Sequence, residues 1–111
     1  MIDVLNKTAV EREQKELKIE VLQLKKASLI LRAVNHQLRQ DMLRQLHKHG
    51  KMTVTELYVK LRLEQSVASQ HLAILRRVNF VATQREGKYI YYSVNYERLE
   101  EVHQFAQDLL H

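Results

Sequence analysis

Between residues 10 and 34 apolar side chains recur at three- and four-residue steps. Leu17, Val21, Leu24 and Leu31 hold the register with Ser28, and Ile19, Leu22 and Ile30 occupy adjacent positions. That spacing predicts one amphipathic helix over 10–34. Its first half, residues 11–18, alternates acidic and basic side chains at helical steps and should be solvated. A helix that is apolar on more than one side needs more than one partner, and a second copy of the chain is the natural candidate. Residues 1–8 are expected to fray ahead of it.

Asn35 is placed to N-cap a second helix over 36–49, with Leu38, Met42, Leu43 and Leu46 facing inward. Gly50 then supplies a left-handed terminator. The run Thr53, Val54, Thr55, Glu56 has the form of a capping box and starts a third helix, buried at Leu57 and Leu61. Arg62 and Leu63 make a turn, and Glu64 or Gln65 opens a fourth helix that packs through Val67, Ala68, Leu72, Leu75 and Val78. Residues 81–85 and 88–94 are rich in β-branched and aromatic side chains and predict a hairpin with Gly87 at its tip. Asn95 caps a last helix whose apolar face is Leu99, Val102, Phe105, Ala106 and Leu109.

The fourth helix is unusual on its outer side. Gln65, Ser66, Ser69, Gln70 and Ala73 stand where an ordinary solvated face would carry Lys and Glu. Ser and Gln both donate and accept, Gln can pair two-pronged with adenine, and a nearby Ala permits close approach to a thymine methyl. A short polar-faced helix followed by a basic hairpin is the layout of a winged helix-turn-helix, with the helix in a DNA major groove and the hairpin on the flanking backbone. Arg76 and Arg77 end the helix and suit phosphate contact, although dipole complementarity alone would account for one of them. At the hairpin, Arg85 and Lys88 can follow the backbone or enter a narrow minor groove, while an edge hairpin kept soluble by charge is the plainer alternative. His71, beside Leu72, is open to two readings: a packed, hydrogen-bonded histidine or a base contact. Tyr91 and Tyr92 alternate faces, so one should pack inward.

Composition narrows the classes. At 111 residues the chain makes one small domain, residues 1–111, burying about two-thirds of its unfolded surface on its own. The net charge of +5 implies an acidic partner, either nucleic acid or an anionic membrane surface. No apolar run approaches the length of a membrane span and no signal peptide is evident at the start, so a cytoplasmic protein without a membrane partner is expected. With no cysteine there is neither a disulfide frame nor a thiolate metal site.

The order and spacing of three segments resemble the ArsR/SmtB family of small dimeric bacterial repressors. They are residues 31–43, residues 54–57, and the Ser69, Gln70, His71, Leu72 run with its Arg85, Glu86, Gly87, Lys88 hairpin. The resemblance spans about 31–94 and implies a mainly α homodimer with a small β-hairpin, a winged helix-turn-helix in the order α-α-α-α-β-β-α. It implies helix-turn-helix residues at 53–78, a wing at 80–94, and a palindromic operator in double-stranded DNA as partner. Members that sense metals through cysteines on the third helix carry them where this chain has Tyr58 and Lys60. Others begin a metal site on the last helices with Asp-x-His, where this chain has Tyr96, Glu97, Arg98. Neither pattern survives, so no metal and no cofactor is expected.

The six histidines do not restore one. His47 and His49 diverge by about 200° on a helix, and His103 and His111 stand about 12 Å apart along one. A site shared across a dimer stays open. No phosphate loop, Cys-His pair or apolar carboxylate pair supports an enzyme. Dimerisation is expected through helices 10–34 and 95–110, by way of Leu17, Val21, Leu24, Leu99, Val102, Ala106 and Leu109. The reading is a DNA-binding repressor. A winged-helix protein-interaction module is the alternative, and a membrane-surface protein fits poorly because acidic residues interrupt the basic first helix.

Overall fold

The helix expected over 10–34 is divided in two. The structure, a computed structural model, describes residues 8–111, and in it α1 (Ala9–Gln14) and α2 (Val21–Val34) are separated by non-helical chain over 15–20. Periodicity alone misses the break, because no Pro or Gly marks it. No packing enforces helix here, since every residue from 8 to 26 is exposed and an unpacked short helix is marginal in water; nothing in the structure explains why the break falls at 15–20 and not in the equally exposed turns beside it. Leu17 therefore lies between helices, 84% exposed, rather than on a helical face. Thr8 caps instead of fraying, accepting from the Glu11 N–H at 3.2 Å; the rest of the expected frayed start lies outside the described residues.

Beyond Val34 the chain forms α3 (Gln37–His49), α4 (Val54–Leu61), α5 (Gln65–Arg77), β1 (Val81–Glu86), β2 (Tyr89–Val94) and α6 (Tyr96–Leu110). Asn35 ends α2, its N–H bonded to the Leu31 carbonyl at 2.9 Å, so His36 takes the N-cap position of α3. Gly50 closes α3 at φ 83° and ψ −53°, a positive-φ position that favours glycine but not the left-handed helical well. Thr53 and Glu56 form the capping box in full. Met42, Leu46, Leu57, Ala68, Leu72, Leu75 and Phe80 are buried at the centre of the core, and Leu61 is only half-buried.

Two turns orient α5. At its start, Arg62 adopts the left-handed conformation (φ 56°), and the Leu63 N–H reaches the Tyr58 carbonyl at 2.9 Å. At its end Asn79 does the same (φ 66°), with the Phe80 N–H on the Leu75 carbonyl at 2.9 Å and the Asn79 N–H on the Arg76 carbonyl at 3.0 Å. This is the Schellman pattern, which stops the helix and turns Phe80 into the core. β1 and β2 pair antiparallel from Val81–Val94 to Glu86–Tyr89, leaving Gly87 and Lys88 as the turn. Gly87 alone of the two has positive φ (63°), as a two-residue hairpin turn of the II′ kind requires. Met52 adds one more rung, exchanging bonds of 3.0 and 2.7 Å with Tyr92 and tying the hairpin base to the α3–α4 loop.

Asn95 caps α6 as expected, accepting from the Arg98 N–H at 3.3 Å. Its own N–H donates to the Phe80 carbonyl at 2.9 Å, and Arg98 Nε donates to the Val78 carbonyl at 3.0 Å. Leu99 and Val102 pack against the core, whereas Phe105 and Leu109 remain 47% and 69% exposed.

Candidate nucleic-acid interface

On α5 the two faces separate cleanly. Ala68, Leu72 and Leu75 are buried, and Ser66, Ser69, Gln70, Ala73 and Arg76 form an exposed stripe at steps of three and four, flanked by exposed Gln65 and Arg77. None of these polar side chains is engaged with another among the described residues. Uncommitted donors and acceptors on a rigid, anchored helix can all be offered to an external partner. Ser69, Ala73, Arg76 and Arg77 also line an open hollow of about 410 Å³ with Val54 and Tyr92, so the α4 start and the β2 base border the same face. Sequence reasoning did not place Val54 or Tyr92 there.

The hairpin carries the other predicted cations. Arg85 Nε donates to the Gly87 carbonyl at 3.2 Å, which steadies the turn, and Lys88 stands 5.3 Å above the Tyr89 ring. Both remain exposed. Glu86, the one acid in the hairpin, is paired with Lys51 of the α3–α4 loop, and that Lys51 lies 4.7 Å over the Tyr91 ring. The hydrogen bond to Glu86 chiefly, with its charge, raises the Lys51 pKa. Pairing masks a negative charge on an otherwise cationic tip. Tyr92 is the inward member of the tyrosine pair.

His71 is half-buried and turned toward α3. Its Nδ1 lies 3.0 Å from Arg39 Nη1, and its ring centroid lies 5.0 Å from that of His36. Arg39 is only 7% exposed, with Nε donating to the Ala33 carbonyl at 2.6 Å and Nη2 to the Arg32 carbonyl at 3.2 Å. Sequence reasoning passed over Arg39. A signal was present: 39, 42, 43 and 46 follow the helical steps of the buried stripe, and Leu38, chosen in its place, is only half-buried.

The residues expected at a subunit interface divide between α2, α6 and the chain ahead of them. Val21 and Leu24 are exposed on α2, Leu99, Val102 and Ala106 are half-buried on α6, and Leu109 is exposed. Ile30, Leu31, Val102 and Phe105 line a small apolar groove of about 210 Å³ between the two helices. His47 is used locally, its Nδ1 2.7 Å from the Tyr96 hydroxyl. Among the described residues no group of three or more His, Asp or Glu side chains is gathered to hold a metal ion, and no helix is long and apolar enough to cross a membrane.

Known proteins match this arrangement. Residues 33–83 match the family described as bacterial regulatory protein, arsR family. The transcriptional repressor PagR of Bacillus anthracis is 35% identical over 83 residues, 75% of this chain and 83% of its own. Among solved structures, NolR from Sinorhizobium fredii superposes with a TM-score of 0.67 at 30% identity, over 85% of this chain and 95% of its own. The transcriptional regulator HlyU from Vibrio vulnificus CMCP6 gives a TM-score of 0.59 at 35% identity, over 79% and 91%.

Proposed function

Because the chain belongs to the ArsR family and is a DNA-binding transcriptional regulator, we propose that it is a repressor acting in the cytoplasm. It occupies a palindromic operator as a homodimer and blocks transcription. α5 enters the major groove with Gln65, Ser66, Ser69, Gln70 and Ala73 toward the bases, and Arg76 and Arg77 toward phosphates. The wing lays Arg85 and Lys88 on the flanking backbone. The observation that carries this reading is the exposed stripe of α5, whose polar side chains have no partner among the described residues while the opposite face is buried.

The two subunits meet through α2 and α6, where Val21, Leu24 and Leu109 are left exposed. This reading calls for recognition alone and requires no metal, cofactor or catalytic step.

The experiment is a binding comparison between a duplex selected by the purified protein from a random library and a scrambled duplex. Replacing Ser69 and Gln70 together by Ala should cost about 1–3 kcal/mol of preference for each base no longer read. Both side chains are exposed, so the fold should be unaffected. A folded double variant with undiminished preference would show that α5 does not read bases. Weak, salt-insensitive binding to either duplex would favour the protein-interaction module instead.

A further inference from the structure

We propose that Arg39 is a positioning residue for DNA reading, holding α5 to the α2–α3 corner through an acceptor that only neutral His71 supplies, so that operator preference is acid-sensitive. This rests on the reading of α5 as the base-reading helix. A guanidinium can only donate, and Arg39 spends its fork on three acceptors: the Ala33 and Arg32 carbonyls and His71 Nδ1, 3.0 Å away. Nδ1 must therefore present its lone pair, and the ring proton sits on Nε2.

Arg39 is fixed from the α2 side by main-chain carbonyls that cannot titrate. Its link to α5 is a side chain that can. A proton on Nδ1 would remove the acceptor and set two cations against each other at hydrogen-bond distance inside a mostly covered corner, where such a pair is costly. His71 lies between Gln70 and Leu72, one on the exposed stripe and one in the core, so displacement of its ring acts on both faces of the helix.

The groups that face His71 are Arg39 from α3 and His36 from the turn before it; among the described residues no titratable side chain of α2, α4 or β1 adds to them. Burial first, then the Arg39 charge, then His36, lowers the His71 pKa below the ordinary histidine value. Folded protein thus resists the proton that the unfolded chain accepts. The Arg39–His71 bond is intact above the unfolded value of about 6.5 and breaks as pH falls through the lowered folded value.

The test measures the affinity ratio between a library-selected duplex and a scrambled one from about pH 8 to about pH 5, the range in which histidines titrate. The scrambled duplex absorbs any general gain in cationic attraction on acidification. For the wild type the ratio should fall on acidification, by at most about tenfold per pH unit for each proton taken up. His71→Asn places a non-titrating acceptor near the Nδ1 position and should hold the ratio level. Arg39→Lys keeps the charge but removes the fork, and should lower the ratio at every pH.

If Arg39→Lys fails to fold, the 15N shifts of the wild-type His71 ring still decide: at about pH 8 they should show Nε2 protonated and Nδ1 bare. A wild-type ratio that does not change with pH overturns the proposal. So does a His71→Asn ratio that falls in parallel with the wild type, or a ring proton found on Nδ1. Absence of any preference at about pH 8 would overturn the reading of α5 itself, and this inference with it.

Discussion

Thr53 shows how much a single side chain contributes here. Its hydroxyl accepts from the Glu56 N–H at 3.2 Å while Glu56 Oε1 accepts from the Thr53 N–H at 3.0 Å, closing the first turn of α4. The Thr53 N–H first, and then the Thr53 hydroxyl, which also donates to Oε1 at 3.0 Å, hold the Glu56 carboxyl below the usual carboxylate range. Thr53→Ala should cost about 1 kcal/mol of stability, read as a lower midpoint in urea. The sign of the pH dependence follows from the lowered value. The Glu56 contribution is complete above the unfolded pKa of about 4.3 and disappears as pH falls through the folded one. Under acid the gap between variant and wild type should narrow by the part the Thr53 hydroxyl contributes through Glu56 Oε1 and keep the part due to the cap on the Glu56 N–H; a gap that does not narrow at all would contradict the hydroxyl's share in the shift. The capping box was legible in the chain because both partners sit at fixed spacing. Arg39 was not, because a charge is read as solvated unless the carbonyls that receive it are known, and those belong to α2, six and seven residues away.

At the level of elements, the hairpin is braced at its base and presents cations at its tip. Met52 fixes the base through Tyr92, and Lys51 neutralises Glu86. Replacing Arg85 and Lys88 by Ala should weaken binding to all duplexes nearly alike. It should also reduce the slope of log affinity against log salt by about one unit for each phosphate no longer neutralised. An unchanged slope would mean that the wing does not touch the backbone. The hairpin, the turn at Arg62 and the cap at Asn95 could be read from the sequence, since each depends on neighbours within a few positions. The break between α1 and α2 could not. Apolar periodicity announces a face to be covered, but it does not say whether the chain itself provides the cover.

For the whole molecule, the described chain measures 65 × 24 × 23 Å, with a radius of gyration of 19.6 Å, where a compact domain of this length would have about 13 Å. In the proposed dimer the paired α5 helices would have to stand about 34–36 Å apart to enter successive major grooves, so the junction between subunits would set the fit to DNA. Leu109→Glu is the cleanest probe, because Leu109 is 69% exposed and its replacement leaves the protomer core intact. The variant should sediment as a folded monomer and lose operator binding. Native operator affinity in a monomer would contradict the dimer mechanism. The apolar surplus on α2 and α6 was legible in the sequence, whereas what covers it is a property of two chains and not of one.

The short bonds between the start of α6 and the end of α5 have a mechanical consequence. Arg98 donates to the Val78 carbonyl and Asn95 to the Phe80 carbonyl, on either side of the left-handed residue that stops α5. A rotation of α6 large enough to strain those two bonds would bear on the last turn of α5, where Arg76 and Arg77 stand. The same few peptide groups that terminate one helix thus also anchor the start of the next.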